Sequence, residues 1–166
     1  MNFEKALNVN MNLTAVNYDP SQGAALQGDV IILGLIGSKY SLDRSKELSP
    51  KQGRLILAEG EVTGHHHSID VAPRPVSKAS VDAIMSAALK APTSTAKMYA
   101  DEKLTDFLVA EGTLLRKDLC IGYLEVTGES MLLEHHEHNA IRIPDGLYYI
   151  GRQIESAGAE TRVVSD

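Results

Sequence analysis

Tryptophan is absent from this chain, and there are only two phenylalanines and one cysteine among 166 residues. The core must therefore rest on Leu, Ile, Val, Met and Tyr. Cys120 has no partner for an internal disulfide, and no cysteine-based zinc motif is available. Its setting, Leu119-Cys120-Ile121, reads as that of a small buried hydrophobe. Basic residues are also in deficit: 16 Lys and Arg stand against 22 Asp and Glu, for a net charge of −6. That balance argues against a nucleic-acid surface, which needs a basic patch. No apolar run approaches the ~20 residues that cross a bilayer. The first 17 residues carry Glu4 and five asparagines rather than a basic start and an apolar stretch, so no secretory signal peptide is expected. These absences lead to the expectation of a soluble, cytoplasmic protein with neither nucleic acid nor membrane as a partner.

What is present is β-rich. A chain of this length is expected to form a single domain, 1–166, that needs neither disulfide nor metal merely to fold. Val30 to Ile36 is a β-branched apolar run opened by Gly28-Asp29 and reads as a buried strand. Arg54 to Thr63 reads as a second strand, bent at Gly60 and Gly64. Tyr123 to Thr127 alternates, and Gly128-Glu129 reads as a turn into Met131-Leu132-Leu133. Ile141 and Ile143 alternate around Arg142. Pro144-Asp145-Gly146 reads as a turn before a long strand from Leu147 to Ile154. Arg162-Val163-Val164 suggests a short edge strand. Residues 1–27 are weakly patterned and read as an arm, and 37–53 as a polar loop. Residues 72–118 read as a helical insertion. Val81, Ile84, Met85, Ala88 and Leu89 recur at helical spacing there, and Leu104, Phe107 and Leu108 form a weaker helix stopped by Gly112. The expected architecture is mainly β, a small barrel or sandwich with 28–71 and 119–166 as its core. A jelly-roll-like arrangement would also fit.

All six histidines fall in two clusters, Gly64-His65-His66-His67 and His135-His136-Glu137-His138. Each lies at the end of a strand-like run, the first directly after Arg54 to Thr63 and the second after Met131-Leu132-Leu133. On a strand His65 and His67 share a face and His66 points away. On a helical turn His135 and His138 share a face, whereas on a continued strand His136 and His138 would; an end of the strand near Leu133 favours the turn. Four neutral imidazoles from two segments would close a tetrahedral site for a divalent transition metal, zinc first. Three imidazoles plus water would leave a reactive position, with Glu137 or Glu134 as base or further ligand. A metal-free cluster that changes charge between about pH 5 and 8 is the alternative. Other chemistry is weakly supported. Gly34-Leu35-Ile36-Gly37-Ser38 is not a phosphate loop. Ser68 and Ser130 lack a nucleophile elbow. Glu59 and Glu61 read as a solvated strand face, and Asp145 as a turn former. Tyr148 and Tyr149 read as core and rim. Arg152 and Gln153 suit either a site mouth or plain surface.

Three blocks of the chain, in order, resemble a family of small uncharacterised proteins from bacteria and tailed bacteriophages. They are Gly28-Asp29-Val30, then Leu57 to His67, then Tyr123-Leu124 through Leu133 to Tyr148. The family reads Gly-Asp-Val, "LAEGE-TGH-H" and "HEEH-I-LP-G-Y…RQ-E". The resemblance implies His65, His67, His135 and His138 as its histidines. His136 departs from it, standing where the family has Glu, so Glu137 is the acid that remains. The expectation is a non-enzymatic metal-binding protein whose four-histidine site staples the fold and which is phage- or prophage-related. A virion structural protein for head decoration or cement is the alternative, with homo-oligomer contacts or capsid proteins as partners. A cupin-like metalloenzyme is the third.

Overall fold

Gly28 has φ +56°, the positive value that a two-residue II′-type hairpin turn asks of its first central residue. It joins β2 (Ala24–Gln27) to β3 (Val30–Gly34), with Gln27 opposite Val30. The computed structural model describes residues 16–59, 66–71, 94–157 and 160–163. The remaining strands of the main sheet are β1 (Val16–Asn17), β4 (Glu47–Leu48), β5 (Arg54–Glu59), β6 (His66–Asp70), β7 (Thr95–Tyr99), β8 (Cys120–Glu134) and β9 (Ile141–Arg152). The order along it is β2-β3-β9-β8-β6-β5, with β1 parallel on β9, and β7 joining β8 to β4. A two-stranded sheet of β10 (Ile154–Ala157) and β11 (Glu160–Val163) follows. The protein is mainly β, with an open sheet consistent with a sandwich rather than a closed barrel.

Buried and more open positions alternate along β3, β5 and β7, whereas β8 and β9 bury both faces where Tyr123, Leu124, Tyr148 and Tyr149 stand. The larger core gathers Ile32, Leu55, Leu57, Ile69, Met98, Leu124, Leu133, Ile143 and Ile150. Each such side chain contributes roughly 1.5–3 kcal/mol of burial. The other face of β8 and β9 carries Tyr123 and Tyr149, covered by Leu104 and Leu108 of α1 (Glu102–Ala110). Asp101 caps α1 by accepting from the Leu104 amide at 3.0 Å, and Gly112 at φ +87° turns the chain away. Tyr148 and Tyr149 thus point to opposite faces, and both are buried.

Several sequence expectations change here. Residues 16–27 are not a free arm, because β1 and β2 lie in the sheet and Gln27 is buried. Four residues of short alternation, Ala-Ala-Leu-Gln, carried too little pattern to announce β2. The region 72–118 is not wholly helical. α1 lies where the Leu104/Phe107/Leu108 spacing placed it, but Thr95–Tyr99 is a strand paired with β8. The helix expected around Val81 to Leu89 falls outside the described residues. The two expected turns, Gly128-Glu129 and Pro144-Asp145-Gly146, do not end strands. They face each other in a bulge. Between the pairs Val126↔Gly146 and Ser130↔Pro144, β8 advances four residues while β9 advances two. Gly128 takes φ +99°, and its amide donates to Asp145 Oδ2 at 3.1 Å. Turn-forming residues here bend one long hairpin instead of closing two short ones.

Candidate functional site

The pairs Ser68↔Glu134 and Ile69↔Leu133 set β6 antiparallel to β8. Continuing that register by one residue sets His67 against His135. The two histidine clusters, some seventy residues apart in sequence, therefore meet at one end of the sheet. The ring centroids of His67 and His135 are 4.3 Å apart, and those of His135 and His138 are 4.6 Å apart. Three of the four expected ligands form a continuous stack. His65, the fourth, lies outside the described residues. The first cluster opens β6 rather than trailing the preceding strand. The second lies in a bend after β8 rather than on a helical turn, with the Glu137 amide donating to His135 Nδ1 at 3.1 Å.

His67 is buried, and both ring nitrogens face protein acceptors. Nδ1 lies 2.8 Å from Gln27 Oε1, and Nε2 lies 2.9 Å from Asp29 Oδ1. The Gln27 amide nitrogen donates to the carbonyls of Leu133 at 3.1 Å and Asn139 at 2.9 Å. Its oxygen is therefore the atom turned to His67, and Nδ1 must donate. Arg152 Nη1 donates to Asp29 Oδ2 at 3.1 Å, which marks Asp29 as a carboxylate. Nε2 must then donate as well. A ring that donates from both nitrogens is an imidazolium. The result is a buried row, Arg152–Asp29–His67–Gln27, in which every buried charge has an opposite charge or a dipole beside it. In this arrangement His67 has no lone pair to offer a metal.

The histidines nearer solvent line a cleft of about 230 Å³ bounded by Arg54, His66, Ser68, Glu134, His135, His136, His138 and Ala140. His66, set aside by the strand-face reading, belongs to this wall. Strand alternation does turn it away from His67, but the open side of β6 is the side it faces. Its buried Nδ1 has no hydrogen-bond partner among the described residues, and Glu59 Oε1 stands 3.9 Å away. Arg54 on the same wall bonds Asp70 at 2.9 Å and approaches Glu134 at 3.7 Å. Among the described residues no three His, Cys, Asp or Glu side chains are gathered tightly enough to hold a metal as they stand. Glu137 and Glu134 both flank the stack, Glu134 on the cleft wall.

Gln27 and Asp29 were missed as site residues. Gln27 sat in the supposed arm, and Asp29 looked like a turn residue only. The signals were their place around the hairpin that opens the first apolar run and, for Asp29, the Gly-Asp-Val block of the resemblance. Arg152, which had read as either rim or surface, is the partner of Asp29. Cys120 is half-buried beside Thr105, whose hydroxyl lies 3.6 Å from its sulfur, and burial pushes its thiol above the ordinary range. It is a packing residue on the helix side, away from the histidines.

A mainly β protein with a buried ionic row under a histidine-lined cleft is the class that fold and site define. Residues 26–105 match the model of a domain of unknown function, DUF8820. That match spans Gln27, Asp29 and His65 to His67 and ends before β8, so His135 and His138 lie beyond it. No curated protein and no solved structure matches the chain.

Proposed function

We propose that this is a small non-enzymatic β protein that binds one divalent transition metal, zinc the best fit to imidazole donors, at its histidine cleft. One observation carries the reading: the fold brings imidazoles from two distant segments onto one cleft wall. His66, His135, His136 and His138 supply nitrogen donors there, and Glu134 supplies a carboxylate. His135 and His138 remain the central ligands of the expected set, with His65 as the further one. His67 would join only by giving up a proton and a partner, so its proposed role is to support the site from below. Part-exposed imidazoles can turn about χ1 and χ2 to close on an ion, and such a site would staple the loop after β8 to β6.

Elemental analysis of the untagged protein tests this against a His135→Ala/His138→Ala variant. One equivalent of zinc, iron or nickel in the parent, lost in the variant, is the expected result. A parent that purifies without metal and takes up none from excess zinc would overturn it.

A role in assembly is favoured by a separate observation. β2 is an edge strand without lysine or proline, and Leu26 on it and Val16 beside it are about half exposed. In this reading the protein is a phage-related structural component that self-associates along β2. Leu26→Lys should then lower the oligomeric mass measured by light scattering. A monomeric parent would exclude it.

A further inference from the structure

Gln27 occupies a position that no histidine-ligand argument requires. Its side chain is buried to 2 % exposure, and it makes three bonds to three different places. Its oxygen accepts from His67 Nδ1 at 2.8 Å. Its nitrogen donates to Leu133 O at 3.1 Å and Asn139 O at 2.9 Å. Leu133 and Asn139 bracket residues 134–138, the segment that carries Glu134, His135, His136 and His138. A single amide thus holds both ends of the histidine loop and orients the ring on which His135 stacks. The amide is anchored in turn. His67 is held by Asp29, and Asp29 by Arg152, while the Gln153 amide donates to the Asp29 carbonyl at 2.9 Å. β2, β3, β6 and β9 therefore all bear on the shape of one loop.

We propose that Gln27 is the positioning residue of the histidine site, a clasp that fixes the span of loop 134–138 and so sets the affinity of the site for its metal. The inference rests on the metal reading above for its affinity arm and on the hydrogen bonds alone for its loop arm. The chemistry is that of a group behind metal ligands: it never touches the ion, but it determines where the ligands stand. Loss of such partners commonly costs about 10–100-fold in metal affinity. Glutamate in place of Gln27 keeps the size and still accepts from His67. It removes both donors and sets a carboxylate oxygen against two carbonyls, so both ends of the loop are released.

Two measurements on the full-length protein test the clasp. Zinc titration by calorimetry should give Gln27→Glu a stoichiometry unchanged from the parent and a Kd raised about tenfold or more. Hydrogen exchange without metal should show the amides of 134–139 exchanging faster in the variant, with those of Tyr123 to Val126 unchanged. If Gln27→Glu does not fold, Arg152→Gln loosens the same row from its more exposed end. It should raise Kd by a smaller factor and speed loop exchange in the same place. Equal Kd and equal loop exchange in a folded variant would overturn the clasp. Faster loop exchange with no zinc bound by the parent would keep the clasp and overturn the metal reading. Exchange that accelerates everywhere would make Gln27 an ordinary core residue and overturn the positioning role.

Discussion

The sheet buries polar groups in two places and satisfies them by different means. Beneath α1 the means are neutral and local. The Tyr123 and Thr105 hydroxyls lie 2.7 Å apart, and Thr105 donates to the Asp101 carbonyl at 3.0 Å within its own helix. Leu104 and Leu108 exclude water from them. At the histidine end the means are ionic and long-range. Arg152, Asp29, His67 and Gln27 come from separate strands and turns and bond in series. A neutral pair under a helix tolerates the loss of one member, because little desolvated charge is exposed by it. A buried ionic row does not, because each member leaves its neighbour charged and alone. The first region is built for packing. The second holds a loop in a set shape, and the charge it buries is stability spent on that shape.

Breaking the ionic row should give the largest effect. Asp29→Ala strands Arg152 and His67 and should lower unfolding stability by about 3–5 kcal/mol in a urea titration. A loss below about 1 kcal/mol would mean that the row is not ionic. On the helix side, Leu108→Ala empties a fully buried position and should cost about 3 kcal/mol, near the middle of the range for such deletions. It should leave zinc uptake unchanged; altered uptake would show that the two regions are coupled. Tyr123→Phe removes one neutral bond and should cost about 1 kcal/mol. A cost as large as that of Asp29→Ala would erase the contrast between the regions.

The helix side should also weaken the protein in alkali, together with buried Tyr148 on the opposite face. Burial pushes the phenols of Tyr123 and Tyr149 well above the ordinary value of 10.0. The unfolded chain then loses those protons first, so their contribution is complete below pH 10 and declines as pH rises beyond it. Circular dichroism should show unfolding that begins above pH 10 and is delayed in Tyr123→Phe/Tyr149→Phe, relative to that variant's own neutral stability. The smallest effect belongs to the surface. Arg44 bonds Glu125 and holds its carboxyl below the usual range. That contribution is present above about pH 4.5 and is lost as pH falls through the lower folded value. Arg44→Ala should change neutral stability by less than ~1 kcal/mol and flatten only that acid limb. A larger change would mean that the pair belongs to the core.

Apolar runs between turn residues located β3 and β5, alternation located β8 and β9, and the Leu104/Phe107/Leu108 spacing located α1, because those segments carry a pattern long enough to read. Turn residues misled the reading of β8 and β9. Glycine, proline and aspartate favour bends of every kind, and whether a bend closes a hairpin or kinks one depends on the strand opposite. The histidines were legible as a constellation, since six residues confined to two clusters is a pattern of composition and spacing. Their division of labour was not legible. His66 and His67 are neighbours of the same type, and only the pairing of β6 with β8 and the hairpin at Gly28 decide which one meets Gln27 and Asp29 and which one meets solvent.

The sequence by itself determined a β-rich chain, a short helix ahead of Gly112 and two histidine clusters placed to converge, because local periodicity and composition act over a few residues. Tertiary structure alone decided that Gln27, Asp29 and Arg152 stand behind His67. Their bonds join residues 38 to 123 positions apart, and no local pattern records a partner at that distance.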